Sequence, residues 1–336
     1  MGKENLKRSF DLGIASTAIL VAFGIQLVFQ IIVLLFGWSK GVETWTIVVG
    51  NQVILFAVSL FFCSYAKVDP FEITGIKRPP KWYFFPLFFL IAVCCIVAFA
   101  PLAGLFSRVL AKLGYEHTPN YHIPKDPGLF TLAFFGLTLL PVIGEEMAVR
   151  GVLLSGAKSK SPIFAILFTA LIFALMHGNL RQVTHQFLLG LVMGYLAYLT
   201  GGIYASATVH IANNGLALLL EYGMKHGRID PRAYYYICGE MEAKPTIVGI
   251  VVGLFALSML LVLVTCLMHF ERSKEKEYLP VDGSLSARVA AYLRFLSDDR
   301  GKDGKRIEGY SLIMPIFLTL LLALVVLLTL IPGGKG

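Results

Sequence analysis

Residues 128–156 read GLFTLAFFGLTLLPVIGEEMAVRGVLLSG. A helix of that length, at 1.5 Å per residue, exceeds the roughly 30 Å hydrocarbon core of a bilayer. Its first half is almost uninterruptedly apolar, and then Glu145, Glu146 and Arg150 arrive close together. An ionised side chain at the bilayer centre costs roughly 2.5 kcal/mol or more. A segment that is long enough to span and charged at depth therefore reads as a transmembrane helix that carries function rather than as a passive anchor.

The same apolar grain runs through the whole chain. Of 336 residues, 57% are hydrophobic and 15% charged, and the mean hydropathy is +0.73. A soluble domain is nearer 25% charged, as an order of magnitude. Candidate spans lie at 12–38, 45–66, 83–110, 128–156, 161–178, 186–201, 203–222, 246–270 and 311–332. The expected fold is an all-α, polytopic transmembrane helix bundle of about eight to nine spans. The first, third and fourth spans are longer than a crossing needs, so tilt or kinks are expected. Gly201-Gly202 is a tight turn between the sixth and seventh. Three regions follow: N-terminal spans over 1–127, a catalytic transmembrane core over 128–222, and C-terminal spans over 223–336. The last includes a charged loop at 271–309, expected to be cytoplasmic.

The net charge of +8 is a topology signal. Lysine and arginine crowd into short loops: Lys3, Lys7 and Arg8, then Lys67, Lys77, Arg78 and Lys81, then Lys158 and Lys160, then the run from Arg272 to Arg306. Lys40 and Arg181 stand alone in alternate loops. The positive-inside rule then expects a cytoplasmic N-terminus. The 12–38 block reads as a signal anchor, and the absence of a targeting signal points to a prokaryotic plasma membrane. No basic-aromatic pattern of the nucleic-acid-binding kind occurs. The five cysteines show no metal-ligand spacing and imply no disulfide framework. Residues 284–297 place Leu285, Val289, Tyr292, Leu293 and Leu296 on one helical face, as an interfacial helix would.

Three polar clusters carry the chemistry. Glu146 and Arg150 are i and i+4, with the glutamate first, and should pair. Glu145 points away from that pair, and a desolvated carboxylate suits a general base. His177 ends a span, with Phe173 one turn before it. His210 and Asn214 are again i and i+4, and both donate hydrogen bonds without bringing charge, as an oxyanion site requires. Measured from the turns at 157–160 and 201–202, Glu145 lies about 18 Å deep, His177 about 25 Å, His210 about 12 Å and Asn214 about 18 Å. The clusters converge in depth.

Glu-Glu-x-x-x-Arg (145–150), Phe-x-x-x-His (173–177) and His-x-x-x-Asn (210–214), in this order on successive apolar helices, resemble the CAAX-protease and bacteriocin-processing family of intramembrane endopeptidases. The eukaryotic Ras-converting CAAX endopeptidase belongs to that family. The likeness covers roughly 128–222, including the run from Phe187 to Thr200. The resemblance implies that Glu145 and His177 activate water, that His210 and Asn214 form the oxyanion site, and that Glu146 and Arg150 support them. It implies a glutamate-type endopeptidase with no cofactor. The substrate would be a peptide or membrane-protein tail, with or without a lipid.

Other readings use the same residues. Glu145, His177 and His210 would make a two-histidine, one-carboxylate zinc site, although no His-Glu-x-x-His spacing supports it. A non-proteolytic scaffold, immunity or regulatory protein would not need the intact triple. A proton-coupled transporter would use buried Glu and His, but no internal repeat of that type is present.

Overall fold

The computed structural model describes residues 11–36, 44–115, 124–237 and 243–274. They form α1 (Leu12–Leu35), α2 (Thr44–Tyr65), the short α3 (Pro70–Ile73), α4 (Phe84–Lys112) and α5 (Pro127–Glu145). The chain continues without a break through a π-helical segment (Glu146–Leu153) into α6 (Leu154–Ala157). Then come α7 (Pro162–Met176), α8 (Leu180–Thr200), α9 (Tyr204–Lys225), α10 (Pro231–Ile237) and α11 (Ala243–Lys274). The candidate span at 311–332, the segment 284–297 and Cys238 lie outside the described residues.

Several helix boundaries have a local cause. Asp11 caps α1 by accepting the Ile14 N–H at 2.7 Å, and Asp126 caps α5 through Leu129 at 2.8 Å. Ser161 and Asn179 do the same for α7 and α8. Pro127 and Pro162 occupy first-turn positions where no N–H bond is needed. Gly201, at φ 75°, ends α8 in the left-handed region.

Six helices among the described residues are long and apolar enough to cross a membrane, with Pro127–Ala157 counted as one. The expected eight to nine spans exceed that number for two visible reasons. α7 has only 15 residues. α9 is long enough, but His210, Asn213, Asn214 and Glu221 lower its apolarity. The protein is an all-helical integral membrane protein among its described residues.

α4 is central, packing on α8, α9 and α11, while α5 lies between α2 and α9, and α7 and α8 form a hairpin. Phe84, Phe88, Ile91 and Phe99 of α4 share one core cluster with Val152, Phe173 and Met193. Leu132, Phe135 and Ile143 of α5, and Val251, Val252 and Phe255 of α11, are exposed. Apolar surface of that extent belongs against lipid tails.

One side of the bundle is stitched by backbone. The Ile203 N–H donates to the Thr74 carbonyl at 2.9 Å, and the Tyr204 hydroxyl donates to the Ile76 carbonyl at 2.9 Å. Ser155 Oγ reaches the Ile73 carbonyl at 3.4 Å. The loop after α3, the end of α6 and the α8–α9 turn thus share one face. Lys77 and the Phe71 N–H both donate to Asp69 there and hold its carboxyl below the ordinary value. The pair is solvent-exposed and adds little to stability.

Gly75 sits in the left-handed region at φ 64°, and a Cβ would run into the Gly201 carbonyl and the Gly202 Cα. Gly75→Ala should therefore destabilise the fold by roughly 1–3 kcal/mol. Thermal unfolding in detergent checks this, and an unchanged Tm would contradict it.

Candidate active site

The long α5–π–α6 rod delivers Glu145, Glu146 and Arg150 into protein, not to its surface. They are 8%, 0% and 2% exposed. The rod does not bend out of the bundle at Pro141 or Gly144. It passes into π geometry instead, with the Leu154 N–H bonded to the Val149 carbonyl five residues back. π segments inside α-helices are frequent at functional sites.

Arg150 Nη1 donates to Glu146 Oε1 at 2.9 Å. The guanidinium also stacks on Phe173, 4.4 Å from the ring centroid. That ring has His177 and His210 edge-on, with centroids at 5.0 and 5.7 Å. Phe173 is thus the hub between the first and third clusters. A cation on an aromatic face in a dry site gains about 2 kcal/mol.

His210 bridges the two glutamates. Its Nδ1 lies 2.9 Å from Glu146 Oε1, and its Nε2 lies 3.7 Å from Glu145 Oε2. Glu146 Oε1 already accepts from Arg150, so it acts as an acceptor toward the ring as well, and Nδ1 carries the proton. With Nδ1–H committed to Glu146, Nε2 is the ring atom turned toward Glu145. This assignment is made from the hydrogen-bond network. Glu145 Oε2 has no hydrogen-bond partner in the protein. The two atoms face one another across a gap too long for a direct bond.

His177 is held in the same tautomer by a different acceptor. Its Nδ1 lies 2.8 Å from the Phe173 carbonyl, which can only accept. Its Nε2 is the free ring nitrogen.

Asn214 is oriented by two neighbours. Its Oδ1 accepts from Asn213 Nδ2 at 3.3 Å, and its Nδ2 donates to the Leu137 carbonyl at 3.4 Å. That carbonyl is free because Pro141, four residues on, has no N–H to give it. The proline inside α5 thereby creates the acceptor that holds the carboxamide. Asn214 keeps a second N–H beyond that bond.

Three further residues join this network, and sequence reasoning passed over them. Gln52 of α2 donates from Nε2 to Glu145 Oε1 at 2.8 Å, and both groups are buried. Asn213 is buried and its Oδ1 lies 3.3 Å from His185 Nε2. His185 of α8 also stands edge-on to Phe99 of α4, with ring centroids 6.5 Å apart. The available signal was the presence of amides and a lone histidine inside otherwise apolar spans. Among the described residues no group of three or more His, Cys, Asp or Glu side chains is placed as a metal-binding set.

Residues 127–216, roughly a quarter of the chain, match the family model described as type II CAAX prenyl endopeptidase Rce1-like. The match takes in all three clusters and is consistent with the CAAX-protease and bacteriocin-processing family. No curated protein and no solved structure matches the chain.

Proposed function

With residues 127–216 forming an Rce1-like domain of a protease family, we propose that the protein is an intramembrane endopeptidase that cuts a peptide bond near the end of a membrane-associated, prenylated CAAX-type tail. The observation that carries this reading is that Glu145 Oε2, buried without a hydrogen-bond partner in the protein, faces His210 Nε2 across 3.7 Å; in the proposed resting state the ring is neutral and both atoms accept. Such a pair needs a donor between them, and a water molecule supplies two O–H bonds.

In this mechanism the water oxygen bonds to the scissile carbonyl carbon while its proton passes to Glu145 Oε2. The carbonyl oxygen becomes an oxyanion. The unused N–H of Asn214 donates to it, and the proton taken up by Glu145 Oε2 passes on to His210 Nε2, which then donates to the oxyanion as well. His177 Nε2 serves as a second proton acceptor beside Glu145. The proton then moves to the leaving amide nitrogen, and the C–N bond breaks. Glu146 and Arg150 touch none of the reacting atoms. They fix the His210 tautomer and bury their charges against each other.

The test is cleavage of a farnesylated tail peptide by the purified protein in detergent, with and without chelator. Chelator-insensitive cleavage supports the reading. Cleavage that is lost on chelation and restored by zinc would replace it with a metal-dependent mechanism. Under the proposed roles, Asn214→Ala lowers kcat by roughly 10²–10³ with the fold retained, as loss of one oxyanion donor does. A near-normal kcat in that variant would remove Asn214 from the site.

A further inference from the structure

We propose that Gln52 of α2 is a positioning residue for Glu145, acting from outside the family-matched segment, an inference that rests on the peptidase reading above. Gln52 is 8% exposed, and its carboxamide sits at the depth of the active carboxylate. It donates Nε2–H to Glu145 Oε1 at 2.8 Å across two helices that are 93 positions apart in sequence. Its Oε1 has no protein partner. The amide is therefore oriented by Glu145 alone, and turning it over would set oxygen against oxygen.

This bond decides which carboxylate oxygen is available. With Oε1 engaged by Gln52, Oε2 is left facing His210 Nε2. Without it the carboxylate is free to rotate about its last torsion, a broad and soft one. Backbone packing supports the arrangement. Gly144, the residue before Glu145, lets α5 approach α2 closely: a Cβ there would lie 2.8 Å from the Gln52 carbonyl oxygen and 2.8 Å from Oε1. One helix further out, Gln26 Nε2 of α1 donates to the Asn51 carbonyl at 2.8 Å. Gln26 thereby ties α1 to the backbone of α2 one residue before Gln52. Polar groups at that depth are expensive to keep and are functional by default.

The test compares wild type with Gln52→Leu and Gln52→Glu on the farnesylated peptide, with Val53→Ala, which alters an outward-facing neighbour, as the control. Gln52→Leu should lower kcat about 10- to 100-fold with KM within about twofold, because the base is misaimed while the binding surface is intact. Gln52→Glu should be worse, since it sets a carboxylate against a carboxylate, and Val53→Ala should be normal. A Gln52→Leu enzyme with normal kcat, or with its loss confined to KM, overturns the proposal. Should Gln52→Leu fail to fold, Gln52→Met takes its place, removing the N–H to Glu145 at similar chain length, with the same kcat defect at unchanged KM expected and an unchanged kcat overturning the proposal. Thermal unfolding of Gln52→Leu, Glu145→Leu and the double variant gives a readout independent of turnover. Non-additive Tm shifts support the Gln52–Glu145 pairing even if wild type cleaves no prenylated peptide, an outcome that would sink the peptidase reading alone. Additive shifts overturn the pairing itself.

Discussion

Glu145→Gln should abolish cleavage while leaving the protein at least as stable as wild type. A positioned general base contributes up to roughly 10⁴ in rate, and the amide that replaces it cannot take a proton from water. The fold has no reason to suffer. The new carboxamide keeps an oxygen to accept the Gln52 Nε2–H bond. It also gains an N–H where Glu145 Oε2 had no partner and faced the His210 Nε2 lone pair at 3.7 Å. Replacing one of two opposed acceptors by a donor relieves an unsatisfied buried group. Turnover and Tm measured on the same preparation separate the two effects. Retained turnover would remove Glu145 from the chemistry, and a large fall in Tm would show that its charge holds the fold.

Arg150→Ala should do the reverse and fail mainly by unfolding. Removing one partner of a buried ion pair destabilises by about 3–5 kcal/mol, because the other charge stays behind without compensation. Here the charge left behind is Glu146, which is 0% exposed and would keep the His210 Nδ1–H and Ser206 beside it but no fixed cation. The stacking on Phe173 at 4.4 Å is lost as well. The combined change Glu146→Gln with Arg150→Met should recover part of the stability, since an apolar replacement of a buried pair is often close to neutral. If the double variant is no more stable than Arg150→Ala, the cost lies in packing against Phe173 rather than in the stranded carboxylate.

The helices were legible because their signals are local. Ser161-Pro162, Asp126-Pro127 and Gly201-Gly202 mark helix ends by capping and φ preference, which need no tertiary knowledge. The Glu146–Arg150 pair was legible for the same reason. Gln52 was not, since nothing in one sequence reveals that it meets a residue 93 positions away. Asn213 was passed over because strict helical facing turns it from Asn214, yet α8 supplies His185 on the face it does turn to. The π segment was invisible for a different reason. It spans Glu146–Leu153 only, too short for its longer period to register in the apolar pattern. The role of Pro141 was half-visible: its position promised a disturbed helix, but the partner of the freed Leu137 carbonyl lies on α9.

The π segment also makes this stretch sensitive to length in a way that its individual residues are not. Wide turns of this kind hold more residues than an α-helix would in the same rise, because each bond spans five residues instead of four. Removing a single residue between Arg150 and Leu153 would let the wide turn tighten to an ordinary helix and leave the helices on either side near their present facing. What would change is the turn itself: Glu146 and Arg150 lie within it, and their facing toward His210 and Phe173 follows the wide winding. α6 is anchored on its own account, with Gly156 close against Ala15 and the Asp11 backbone. A chain could keep every letter of its three motifs and still lose part of its active geometry through one missing codon.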